Sequence, residues 1–171
     1  GAGINAPLTP QPVVRVIDEN GGLATVFNGS VLLAIANNPS GGILGGLTTQ
    51  PVSGGVATFS GLSIDKAGAG YTLGASSASP ILPATSTSFN ISNAVPFITT
   101  LYPSFAVAGD PAFVLTVHGG NFVYNSVVRW NNSDRPTSYS SPTLVTANIA
   151  ALDIAVVGTA SVTVSNVAPG G

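Results

Sequence analysis

Short alternating runs of apolar and polar residues, each closed by Gly, Pro, Asn or Ser, recur along the whole chain. From Pro96 the sequence reads PFITTLYPSFAVAGDPAFVLTVHGGNF, then SVVRWNNS, then GTASVTVSN. A period of two with frequent turn formers predicts half-buried antiparallel strands, one face on a core and the other in water. In the first half, Pro12–Asp18 sets Val14 and Val16 against Arg15, and Asp18-Glu19-Asn20-Gly21-Gly22 predicts a turn. Val31, Leu33 and Ile35 share a face, as do Tyr71, Leu73 and Ala75. Leu44–Gln50 predicts a weaker strand, Val56–Phe59 a further one, and Leu62 with Ile64 an apolar pair; Phe89 and Ile91 close the segment. In the second half, Phe97–Leu101 opens. Phe113, Leu115 and Val117 then oppose Val114, Thr116 and His118, and Gly119-Gly120-Asn121-Phe122 reads as a turn. Val128 and Trp130 share a face, and Leu144–Ile149 and Ala160–Val164 complete the set, with Asn131–Ser141 polar and turn-rich. No window keeps a 3.6-residue apolar period for three turns without Gly or Pro, so the expected fold is all-β, with no helix beyond a single turn.

Ser92-Asn93-Ala94-Val95-Pro96 is the candidate joint, because Pro96 drives its predecessor toward extended geometry and no Gly/Ser tract intervenes. Two modules are expected, residues 1–93 and 94–171.

Only 6% of residues are Asp, Glu, Lys or Arg, against about 25% in an average soluble protein. Polarity must come instead from 19 Ser, 16 Thr, the Asn residues and the backbone. Arg15, Lys66, Arg129 and Arg135 are scattered, so no basic face forms and nucleic acid is not an expected partner. Absence of cysteine excludes disulfides, thiolate zinc sites and thiol catalysis. No apolar run approaches the ~20 residues of a membrane span, and no signal peptide is visible at Gly1-Ala2-Gly3. The abrupt start and the ending Val167-Ala168-Pro169-Gly170-Gly171 suggest a piece of a longer protein.

Asp65…Tyr71-x-Leu73 has the spacing of the tyrosine corner in immunoglobulin-type sandwiches, with Leu73 at the inward core position. The spacing favours a hydroxyl tied to the corner backbone over a ligand-stacking tyrosine. The surrounding GGVATFSGLSIDKAGAGYTLGASS resembles bacterial immunoglobulin-like repeats, through G-x-A-T-F, an apolar pair, then A-G-x-G-Y-T-L-x-A, over most of residues 5–92. Residues 96–167 resemble an IPT/TIG domain through P-x-I-x-x-L-x-P, A-G, F-x-L-T-V-x-G-x-N-F, V-x-W-N and G-T-A-S-V-T-V-S-N. Together the resemblances imply two tandem immunoglobulin-like β-sandwiches. IPT/TIG domains occur in receptor ectodomains, Rel-type transcription factors, some polysaccharide-acting enzymes and bacterial surface proteins. The basic loops with which Rel-type factors contact DNA are missing here, so that role does not carry over.

Candidate chemistry is sparse. His118 is the sole histidine, on the polar face of a strand, without the Gly-x-Ser-x-Gly elbow of a hydrolase. The carboxylates Asp18, Glu19, Asp65, Asp110, Asp134 and Asp153 are dispersed; only Asp18 and Glu19 adjoin, and strand neighbours point to opposite faces. A weak calcium site at Asp18-Glu19-Asn20-Gly21 would have little oxygen charge. Lys66, the only candidate for a Lys–Asn isopeptide bond, sits in a Gly-rich corner that favours a solvated side chain. Tyr102, Tyr124, Trp130 and Tyr139 are the candidates for a sugar-stacking platform. Trp130 follows the inward register of Val128 and is expected in the core, leaving Tyr124 and Tyr139, in or near loops, as candidate ligand contacts. Asn28-Gly29-Ser30, Asn90-Ile91-Ser92 and Asn131-Asn132-Ser133 match the glycosylation sequon.

The expectation is a non-enzymatic structural or adhesion module of a bacterial secreted or cell-surface protein, with no cofactor and no metal. Its expected partners are a surface glycan or protein and neighbouring immunoglobulin-like repeats. The alternative is a carbohydrate- or protein-binding accessory module of a larger extracellular enzyme or adhesin.

Overall fold

The computed structural model describes residues 1–78 and 80–170, and among them the protein is all-β, as the alternation predicts. Its helical content is one 3-10 turn, Ala151–Ile154. None of the described residues form a helix long and apolar enough to cross a membrane. The chain divides into two compact units, the first ending at Ser92 and the second beginning at Asn93.

The first unit contains β1 (Ala2–Gly3), β2 (Val13–Arg15), β3 (Ser30–Asn37), β4 (Leu44–Gly45) and β5 (Thr49–Pro51). It continues with β6 (Val56–Thr58), β7 (Ser63–Ile64), β8 (Gly68–Ser76), β9 (Ala84–Thr85) and β10 (Phe89–Ser92). One sheet runs β1-β10-β8-β3-β5 with β9 added to β8; β2 pairs with β6 and β4 with β7. Period-two alternation decides which side chains enter the core. On β3, Val31 and Leu33 are buried while Leu32 and Ala34 are exposed; on β8, Tyr71 and Leu73 point in. They meet Ala57, Phe59, Leu62, Ile64 and Ile91 in one core. Leu62, Ile64 and Ile91 are fully buried, and burying each stabilises the fold by about 1.5–3 kcal/mol.

Tyr71 takes the corner role. Its side chain is fully buried, and its hydroxyl donates to the Lys66 carbonyl at 3.0 Å. Space for the ring comes from two glycines. A Cβ on Gly68 would stand 2.8 Å from the ring edge at Cε2, and one on Gly42 would stand 2.8 Å from the hydroxyl oxygen. Lys66 itself is exposed. The expected single strand at Leu44–Gln50 is instead β4 and β5, separated at Gly46, whose φ of +95° ends regular pairing.

The second unit contains β11 (Phe97–Tyr102), β12 (Phe113–Gly120), β13 (Val127–Trp130), β14 (Ser133–Asp134), β15 (Thr137–Ser141), β16 (Leu144–Ile149) and β17 (Val162–Ser165). One sheet runs β11-β12-β16-β15 and another β14-β13-β17. On the β12–β16 ladder Leu115 opposes Ala147 and Val117 opposes Val145. These four join Phe122, Val128, Ile149 and Ile154 in the second core. His118 is exposed on the outer face.

One expectation changes here. Gly119-Gly120 is not a turn but the end of β12, paired with Ile98 and Phe97. A Cβ on Gly119 would strike the Phe97 carbonyl, and one on Gly120 the Phe97 ring, so glycine lets the strands approach. The turn begins at Asn121, with φ of +61°. Asn131–Ser141, polar and turn-rich, also supplies β14 and β15, the latter pairing with β16.

Candidate functional site

Tyr124 and Tyr139 are fifteen positions apart in sequence, but the fold of the second unit joins them. Their ring centroids are 6.2 Å apart, with the planes at 65° in an edge-on pair. Tyr139 is not in a loop as expected; it lies on β15 opposite Val145 and packs half-buried on the second core. Tyr124 sits at the tip of the β12–β13 turn and is 82% exposed.

The turn that presents Tyr124 is braced on both sides. Phe122 is buried before it, and its N–H donates to the Pro142 carbonyl at 3.0 Å. Ser126, buried after it, donates its N–H to the Val123 carbonyl at 2.8 Å, and its hydroxyl accepts from Val123 N–H at 2.7 Å. That hydroxyl also donates to Asn166 Oδ1 at 2.6 Å. Asn166, buried, donates through Nδ2 to the carbonyls of Ala94 at 2.9 Å and Asn121 at 2.8 Å. The exposed ring therefore stands on a rigid base, so little side-chain or loop entropy opposes contact with a flat apolar face. Sequence inspection missed Asn166 because an Asn after a strand reads as a turn former; its burial depends on carbonyls distant in sequence.

Tyr102 is 75% exposed at the end of β11 and joins no aromatic pair among the described residues. Trp130 keeps the inward register but is half-buried, not enclosed like Val128. It meets Phe113 edge-on at 6.5 Å.

Most carboxylates have structural duties. Asp18 Oδ1 accepts from the N–H groups of Asn20 and Gly22, both at 2.9 Å, closing the Asp18–Gly22 turn. Asp65 Oδ1 accepts from Ile43 N–H at 2.6 Å. Asp134 pairs with Arg129 at 2.7 Å on the surface. Asp153 accepts from Arg135 Nε at 2.7 Å, from Arg135 Nη2 and from Ala150 N–H at 3.0 Å. The guanidinium bond, chiefly, holds the Asp153 carboxyl below the usual range and raises the Arg135 pKa. Among the described residues no three His, Cys, Asp or Glu side chains gather as metal ligands. Of the sequon asparagines, Asn28 is exposed, while Asn90 and Asn131 accept from Gly70 and Ser161 N–H at 3.0 and 2.8 Å.

No family model matches the chain, and no curated protein matches it.

Proposed function

We propose that the chain is a non-enzymatic structural or adhesion module of a bacterial secreted or cell-surface protein. In this reading it is two immunoglobulin-like sandwiches, the second of the IPT/TIG type, acting as spacer or display repeat beside similar repeats. One observation carries it: a recurring set of polar side chains binds the chain's own backbone at loops and strand ends. Gln11 binds the backbone of Leu8 and Leu62 through three hydrogen bonds. Asn38 both donates to and accepts from Gly42. Asn93 Nδ2 donates to the Val167 carbonyl at 2.9 Å. Asp18, Asp65 and Asn166 act alike. A catalytic group needs an unsatisfied lone pair or proton aimed at substrate; these groups are aimed at the backbone of their own chain. The corner bond of Tyr71 supports the immunoglobulin-like assignment.

The braced pair Tyr124–Tyr139 favours a second reading, a binding module for a surface glycan or protein. An exposed Tyr face with a hydroxyl at its rim suits a sugar ring, apolar on one face and hydroxylated at its edge. Glycan-array binding by the full chain distinguishes the two. The spacer reading expects no saturable signal; binding that Tyr124→Ala abolishes would replace it with the second.

A further inference from the structure

Away from the tyrosine pair, the second unit holds a cavity of about 560 Å³, within the 300–1,000 Å³ of ordinary small-molecule sites. Its floor is core: Leu101, Phe113, Leu115, Ile154 and Val162, with Trp130 beside them. Its mouth is formed by the segments 103–108 and 156–160, where Phe105, Val156 and Val157 are 79%, 83% and 88% exposed. The single carboxylate in the wall, Asp153, is engaged by Arg135 and Ala150 N–H. The other polar side chains there, Ser104, Asn131 and Thr159, are neutral. Such a lining rejects ions and accepts an uncharged, apolar body.

Trp130 adds a second requirement. Its indole Nε1–H is covered from water and meets no acceptor among the described residues. Buried polar groups are rarely left unpaired, because an unmade hydrogen bond is costly. The mouth segments 103–108 and 156–160 carry no strand or helix, and the backbone bond beside them, Gly109 N–H to the Ile154 carbonyl at 2.9 Å, lies just outside both. Irregular segments with few backbone bonds open at low free-energy cost. We propose that this cavity binds a neutral, apolar small molecule carrying an oxygen acceptor, which displaces the loop wall and takes the Trp130 Nε1–H.

The chain has one tryptophan, so its ¹H–¹⁵N spectrum contains one indole cross-peak. Acetophenone and ethylbenzene are near-isosteric probes, with and without the oxygen. Acetophenone is expected to move the indole proton downfield, saturably, and by saturation-transfer NMR to bind roughly threefold to tenfold tighter than ethylbenzene, the worth of one net hydrogen bond. Trp130→Phe keeps an aromatic wall and should bring that ratio to one. No saturable binding of either probe would overturn the proposal. So would equal affinities with an unmoved indole peak, a result the wild-type protein delivers even if the variant does not fold.

Discussion

Replacing Tyr71 by Phe removes one oxygen from the centre of the first unit and nothing else. The ring is fully enclosed and stacks at 6.2 Å on Phe89, so packing and apolar burial persist. What disappears is the 3.0 Å bond to the Lys66 carbonyl. One net hydrogen bond is worth about 1 kcal/mol, rising toward about 3 kcal/mol if the carbonyl is left dry. A companion change acts by volume alone. A Cβ on Gly68 would stand 2.5 Å from Ser40 Oγ and 2.8 Å from Tyr71 Cε2, and such overpacking costs about 1–3 kcal/mol. In urea, with a slope of about 1–3 kcal/mol per molar for small domains, a loss of 1 kcal/mol lowers the midpoint by about 0.3–1 M. Far-UV circular dichroism of the wild type and the Tyr71→Phe variant measures that shift directly. An unchanged midpoint for Tyr71→Phe beside a clear loss for Gly68→Ala would show that the ring matters and the hydroxyl does not, and the corner argument would fail.

Four more outcomes follow from the second unit. The Asp153 pKa is lowered in the folded state, so its contribution is present above the unfolded value of about 3.9 and fades as pH falls through the lower folded value; between pH 5 and 2 the wild type should lose more thermal stability than Asp153→Asn, and parallel melting curves would refute this. Arg135→Ala, at an ion pair whose side chains are 18% and 14% exposed, should cost about 1–3 kcal/mol at pH 7 by denaturant titration. Asn166→Ala strands the Ala94 and Asn121 carbonyls and the Ser126 hydroxyl and should cost about 2–3 kcal/mol, whereas Tyr124→Ala, at an exposed tip, should stay within about 0.5 kcal/mol of wild type.

Where apolar residues alternated, strand and facing were legible together. Leu115 and Val117 on β12, and Val145, Ala147 and Ile149 on β16, point inward as their spacing requires. Tyr71 was legible because its role depends on local spacing. β15 was not: Thr137–Ser141 carries one apolar ring among Ser and Thr, and as the last strand of its sheet it needs no more. Gly119-Gly120 misled because glycine serves both turns and close strand contacts, and only the Phe97 carbonyl with the rings of Phe97 and Phe122 decides between them. At the candidate site, both tyrosines were legible as residues but their edge-on pairing was not, since it depends on how the β12–β13 turn lies against β15. The half-burial of Trp130 was hidden for a like reason: the segments 103–108 and 156–160 that flank it carry no periodicity.

The proposed function rests on polar groups that are hydrogen-bonded to the backbone of their own chain. The direct test is a steady-state turnover assay of the full chain against chromogenic esters, peptides and glycosides, with His118→Ala as the matched variant. No turnover above the spontaneous rate is expected for either protein. Saturable turnover that copurifies with the chain and vanishes in His118→Ala would contradict the non-enzymatic reading.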